Sequence, residues 1–205
     1  MAVVASLLSS LILFSVIISA TYAILGSGDK IYMDKLCQSV IQLDGETKPG
    51  VSFSFTSSAK YKADTNCTLT FKTAQKNQNI IVTVEKLDIS DFDDVTCGDY
   101  LKIYDGKFGG TVLNKNAAEQ CGSSTRYYVS TSDAVVFHFV SNKARESRGF
   151  KASVALHFPL VNACPQQLGF YLCHNKNCIS KLLTCDNHNH CGDNSDELSC
   201  GVGKK

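Results

Sequence analysis

Cys191-Gly192-Asp193-Asn194-Ser195-Asp196-Glu197-Leu198-Ser199-Cys200 closes a tail in which six cysteines, Cys164, Cys173, Cys178, Cys185, Cys191 and Cys200, fall within 37 residues. The gaps between them hold 8, 4, 6, 5 and 8 residues, with few large apolar side chains among them. A segment this short cannot bury enough apolar surface to fold on a hydrophobic core alone. Cross-links, or an ion held by the carboxylates crowded at its end, must hold it instead.

Working outward, all 10 cysteines lie at or after Cys37, and an even number is what a disulfide framework in an oxidising compartment requires. The start of the chain agrees. Met1 to Leu25 holds no charged residue, runs through Leu11-Ile12-Leu13-Phe14-Ser15-Val16-Ile17-Ile18, and ends in small residues around Ala20 and Ala23. Residues 1–23 read as a signal peptide. An uncleaved anchor is the alternative, since about 20 apolar residues suffice to cross a bilayer. No second apolar run reaches that length, so a membrane is a partner only if the N-terminal segment stays uncleaved. The formal charge is +1 with scattered basic residues, which excludes a nucleic-acid footprint.

Between leader and tail the residues read as strands. Val51-Ser52-Phe53-Ser54-Phe55, Tyr100-Leu101-Lys102-Ile103-Tyr104 and Phe150-Lys151-Ala152-Ser153-Val154 alternate with period two, each offering one apolar face. Ile80-Ile81-Val82-Thr83-Val84 and Ala134-Val135-Val136-Phe137-His138-Phe139-Val140 are more continuously apolar, as strands covered on both faces are. Turn chemistry at Asp105-Gly106, Gly109-Gly110 and Cys121-Gly122 separates the runs, which predicts a β-sandwich. Cys37, Cys67, Cys97 and Cys121 permit three pairings, and composition does not choose among them.

Cys97-Gly98-Asp99-Tyr100-Leu101-Lys102-Ile103-Tyr104-Asp105-Gly106, with Tyr61 ahead of Cys67 and the closing Gly149-Phe150-Lys151-Ala152, resembles the CUB domain. Leu69 stands where many CUB domains have Trp, and Cys97 to Asp99 is one residue shorter than the common spacing. The tail resembles the LDL-receptor class A module. Tyr171, Ile179, Asp186, Asp193 and Asp196-Glu197 agree with it in register. Together the resemblances imply a mainly β chain, a CUB-like β-sandwich followed by a small disulfide-rich, calcium-stabilised class A module. They imply a leader over 1–23, a linker over 24–36, the CUB domain over 37–158, a linker over 159–163, the class A domain over 164–200 and a tail over 201–205. The implied disulfides are Cys37 to Cys67, Cys97 to Cys121, Cys164 to Cys178, Cys173 to Cys191 and Cys185 to Cys200.

Calcium is the cofactor that both resemblances imply. In the class A module its ligands correspond to the carboxylates of Asp186, Asp196 and Glu197, to position 190, and to the backbone carbonyls of Leu183 and His188. Position 190 is His190 where the family has Asp, and a hard cation prefers oxygen, so weaker binding is expected, with water or Asp193 filling the gap. Leu183 also replaces an aromatic residue that stacks on a ligand lysine. His188 and His190 would suit zinc or copper, but with the cysteines paired no third soft ligand is evident. In the CUB domain the corresponding ligands are Tyr61, Asp93 or Asp91, Asp99 and Asn142, the last a neutral oxygen where the family has a carboxylate.

Asp88, Asp91, Asp93, Asp94, Asp99 and Asp105 place six carboxylates within 18 residues. That density reads either as a solvated loop or as a surface for a cation and a partner's basic groups. Asn66-Cys67-Thr68 is the one glycosylation sequon, and closure of its cysteine into a disulfide competes with glycan transfer. No nucleophile with a base, zinc helix or framed carboxylate pair is present, so no enzyme is expected. The sequence thus predicts a secreted, non-enzymatic adaptor or co-receptor-like protein that docks basic side chains of an extracellular or cell-surface protein. A signal-anchored accessory protein and a calcium-independent matrix or body-fluid component are the alternatives.

Overall fold

The computed structural model describes residues 30–76, 78–90, 97–158, 164 and 168–201. The expected leader, the connector over 159–163 and the acidic stretch 91–96 lie outside the described residues. Ten strands build the first domain: β1 Ile31–Tyr32, β2 Ser39–Leu43, β3 Gly50–Ser54, β4 Asn66–Thr73, β5 Asn79–Asp88, β6 Tyr100–Asp105, β7 Thr111–Val112, β8 Arg126–Val129, β9 Ala134–Val140 and β10 Gly149–His157. They form two five-stranded sheets, β1-β3-β10-β5-β8 and β2-β4-β9-β6-β7.

Alternation explains why the sheets close on each other. In β6, Leu101 and Ile103 point inward while Tyr100, Lys102 and Tyr104 point outward, and in β4 Cys67, Leu69 and Phe71 are buried. The core contains no Trp. Phe53, Phe55, Phe71, Phe137, Phe139 and Phe150 fill it, with ring centroids 4.0 Å apart for Phe55 and Phe139 and 5.0 Å for Phe53 and Phe137. Leu69 is fully buried among them.

The two continuously apolar strands are covered on both faces, each for its own reason. On β9, His138 of the outer face lies under Tyr104 and Phe108, the latter 4.9 Å away edge-on. On β5, the outer-face residue Ile81 lies beneath the tail. Ile81 and its cross-strand partner Ala155 form a second buried cluster with Cys173, Ile179, Leu183 and Cys191.

The tail itself is a two-stranded hairpin, β11 Phe170–Leu172 with β12 Cys178–Ser180, followed by short 3-10 turns at Lys181–Leu183 and Ser195–Glu197. Five disulfides close the chain: Cys37–Cys67, Cys97–Cys121, Cys164–Cys178, Cys173–Cys191 and Cys185–Cys200.

The expected linker over 24–36 is, in its described part, structural. Ile31–Tyr32 pairs in parallel with Phe53 and Ser54, and Ile31 and Met33 insert into the sandwich core. Two strand residues carry too short a periodicity to be seen in the sequence, and only the position of β3 gives them a partner.

The tail is docked as well as tethered. Leu183 is buried against the sheet, a burial that contributes of order 1.5–3 kcal/mol. Ser153 donates to the carbonyl of Asn189 at 2.6 Å, and Phe158 N–H donates to the carbonyl of Cys178 at 3.0 Å. Gly192 has φ +90° and sits so close to Tyr127 that a Cβ would lie 2.5 Å from its ring. Gly192→Ala is therefore expected to cost at least the roughly 1–3 kcal/mol of a strained backbone and to loosen the tail. Thermal unfolding and limited proteolysis of the tail check this.

Candidate functional site

Two clusters collect the residues singled out in the sequence, one at the end of the sandwich and one in the loop of the tail. At the sandwich end, Asp99 immediately precedes β6 and is 1% exposed. Its Oδ2 accepts the Tyr61 hydroxyl at 2.6 Å and its Oδ1 accepts the Asn142 backbone N–H at 2.7 Å. Burial, reinforced by the Asp99 carboxylate, pushes the Tyr61 phenol far above its ordinary value, so it remains the donor. The Tyr61 oxygen in turn accepts the N–H of Ser90 at 3.1 Å.

Asn142 contributes its backbone rather than its side chain here, because its Oδ1 accepts the N–H of Ala144 at 2.7 Å. Asp91 and Asp93 lie outside the described residues. Ser90 is a participant the sequence reading missed, since a backbone N–H leaves no trace in residue type.

The acidic loop divides by role. Asp105 is buried and accepts from Thr131 and Ser132, which together hold its carboxyl below the usual range against the opposing effect of burial. Asp88 pairs with Arg148 at 2.5 Å. Asp99 and Asp105 are both buried and take their hydrogen bonds from hydroxyl and N–H groups, and Asp99 is the one of the two that meets Tyr61. Asn66 is exposed at the start of β4, and its Oδ1 lies 3.0 Å from His138 Nε2.

In the tail, loop 186–190 is wrapped around carboxylates. Glu197 accepts the backbone N–H groups of Asp186 and Asn187 at 3.0 and 2.9 Å, one on each oxygen. Asp196 Oδ2 accepts those of His190 and Cys191 at 2.7 and 3.2 Å. Its Oδ1 is buried without a hydrogen-bond partner, and burial raises the Asp196 carboxyl although these N–H donors oppose the rise. The His190 ring lies inside the loop with Nε2 3.0 Å from Asp186 Oδ2. Asp193, the other residue considered for the missing oxygen, accepts instead from Ser195 and Asn175.

The rest of the loop faces the sandwich. Leu183 is packed on Ile81 and Ala155, and Glu85 of β5 reaches Asn189 N–H at 3.3 Å, His188 Nδ1 at 3.6 Å and Lys151 Nζ at 2.6 Å. Leu183 is thus taken up by the chain itself, while His188 stays partly exposed beside a cleft that Leu182, Asp186 and the β3 residues also line.

The comparisons with known proteins agree with this architecture. The CUB domain family matches residues 37–154, and the low-density lipoprotein receptor domain class A matches residues 163–200. The chain belongs to the CUB domain family and carries a class A domain after its sandwich. Suppressor of tumorigenicity 14 protein homolog from Bos taurus is 34% identical over 86 residues, 42% of this chain and 10% of that protein. The chain therefore spans about a tenth of that curated relative. Among solved structures, the CUB1-EGF-CUB2 domain of human MASP-1/3 is 21% identical with a TM-score of 0.45, covering 56% of this chain and 40% of that one. The MASP-1 CUB2 domain bound to Ca2+ is 20% identical with a TM-score of 0.45, covering 56% of this chain and 96% of that one.

CUB and class A domains are non-catalytic, extracellular or cell-surface interaction modules. In this chain Glu85 couples the two. Burial pushes its carboxyl up, but His188 and Lys151 outweigh burial and hold it at about 2 instead of 4.5. A carboxylate whose folded pKa is depressed stabilises the fold above its unfolded value and ceases to do so as pH falls through the folded one. Melting between about pH 5 and pH 2 is expected to fall more steeply for the wild type than for Glu85→Gln. Parallel curves for the two proteins would deny Glu85 this role.

Proposed function

We propose that this chain is a secreted, non-catalytic adaptor that docks basic side chains of an extracellular or cell-surface protein through the calcium-shaped end of its sandwich. The observation that carries the proposal is Asp99, a buried carboxylate that accepts from the Tyr61 hydroxyl and the Asn142 N–H. The oxygens gathered there, those of the Asp99 carboxylate and the Tyr61 hydroxyl, are the ligand type that a hard cation takes. Asp99 and the Tyr61 hydroxyl would hold calcium, with the acidic residues of 91–96 within reach in sequence.

Calcium there would offset the charge of the clustered carboxylates. The residues of the chain do the rest. Tyr61 donates to Asp99 and fixes its orientation, the Asn142 N–H holds the second oxygen, and carboxylates near Asp99 in sequence would attract a Lys or Arg by charge-assisted hydrogen bonds.

Calcium is expected to raise the Tm of the wild type and not that of Asp99→Asn, since a ligand that binds only the native state stabilises it by mass action. Retention on an immobilised lysine-rich peptide should require calcium and be lost in Asp99→Asn. Retention indifferent to both EDTA and the substitution would favour the calcium-independent structural component instead. We also propose Asn66 as a glycan site, transferred before the Cys37–Cys67 bond closes. A mass shift on enzymatic deglycosylation that Thr68→Ala abolishes is the expected result.

A further inference from the structure

We infer that the class A module of this chain is built to fold without calcium, because the His190 side chain takes the ion's place inside the loop. Three of the family's carboxylates are present and each accepts hydrogen bonds from the protein, Asp196 through Oδ2 only, its Oδ1 being buried without a partner. Both oxygens of Glu197 and one oxygen of Asp196 accept backbone N–H groups of residues 186, 187, 190 and 191, which closes the loop from within. Asp186 uses Oδ1 to accept the His188 N–H at 3.0 Å, and Oδ2 faces His190 Nε2, also at 3.0 Å.

A carboxylate accepts and does not donate, so Nε2 of His190 carries the hydrogen in this contact. Nε2, donating to Asp186, has no lone pair to offer a metal, while Nδ1 is buried without a hydrogen-bond partner. The ring is nearly sealed, with a side chain 1% exposed, and it stands at the fourth carboxylate position of the family. A hard cation at this place would therefore lose one charged oxygen and meet a donor N–H instead. Among the described residues no three His, Cys, Asp or Glu side chains converge as metal ligands.

The outer side of the same loop is held by protein as well. Glu85 of β5 accepts the N–H of Asn189, and Ser153 of β10 donates to the Asn189 carbonyl. The loop that an ion would organise is organised by His190 from inside and by the sandwich from outside. The tail then keeps its shape whatever the calcium concentration, and any calcium response of the chain belongs to the sandwich end.

The test uses the full, oxidised chain with Asp99→Asn, which removes the sandwich site proposed above, so that failure of the two readings can be told apart. Calorimetric titration of calcium into this variant is expected to give no binding heat, and its Tm is expected to be the same in EDTA and in millimolar calcium. Adding His190→Asp should create a requirement: a lower Tm in EDTA, regained by several degrees in calcium. Calcium heat or a calcium-dependent Tm in Asp99→Asn alone would overturn the inference. So would stabilisation of that variant by zinc, which would make His190 a ligand rather than a substitute. A His190→Asp chain that folds and remains indifferent to calcium would also overturn it, because His190 would then not be what excludes the ion.

Discussion

The contact on which the rest of the architecture depends is the seating of the tail on the outer face of β5 and β10. Ile81 and Ala155 are apolar residues on a sheet face that would otherwise meet water, and Leu183, Ile179 and the Cys173–Cys191 bridge cover them. A domain of 37 residues gains from the sandwich the apolar burial that its own sequence cannot supply. At the rim of that contact, Glu85 gathers Lys151, His188 and the Asn189 N–H onto one carboxylate. Charge at the rim and apolar surface at the centre together fix which face of the tail looks inward.

Leu183 is buried in that contact, while His188 stays partly exposed at the cleft between tail and sandwich. The sandwich end keeps a buried carboxylate among neutral donors. The tail loop, with its carboxylates already accepting backbone N–H groups and its centre filled by imidazole, suits a brace.

Much of the fold was legible in the residues. Alternation in β4 and β6 follows from the strict period of a strand with one buried face, and that period survives in the sequence whatever the partner strands are. The segment around Ile31 and Met33 was not legible, because a two-residue strand has no period and its meaning depends on Phe53 lying alongside. The six clustered aspartates were legible as charge but not as roles. Asp105 is consumed by Thr131 and Ser132, 26 and 27 residues away, and Asp88 by Arg148, 60 residues away.

The sequence by itself determined the class of chain: two strand-rich or cysteine-rich units, an oxidising compartment, and the spacing of cysteines and carboxylates that marks the tail. These are local patterns, and local patterns are set by covalent spacing and by the periods of the backbone. Only the tertiary structure decided that Asn142 uses its backbone, that Ser90 touches Tyr61, that His190 turns onto Asp186, and that Glu85 reaches across to the tail. Each of those is a meeting of groups whose hydrogen-bonding needs can be met in many ways until burial leaves one arrangement in which all of them are near a partner.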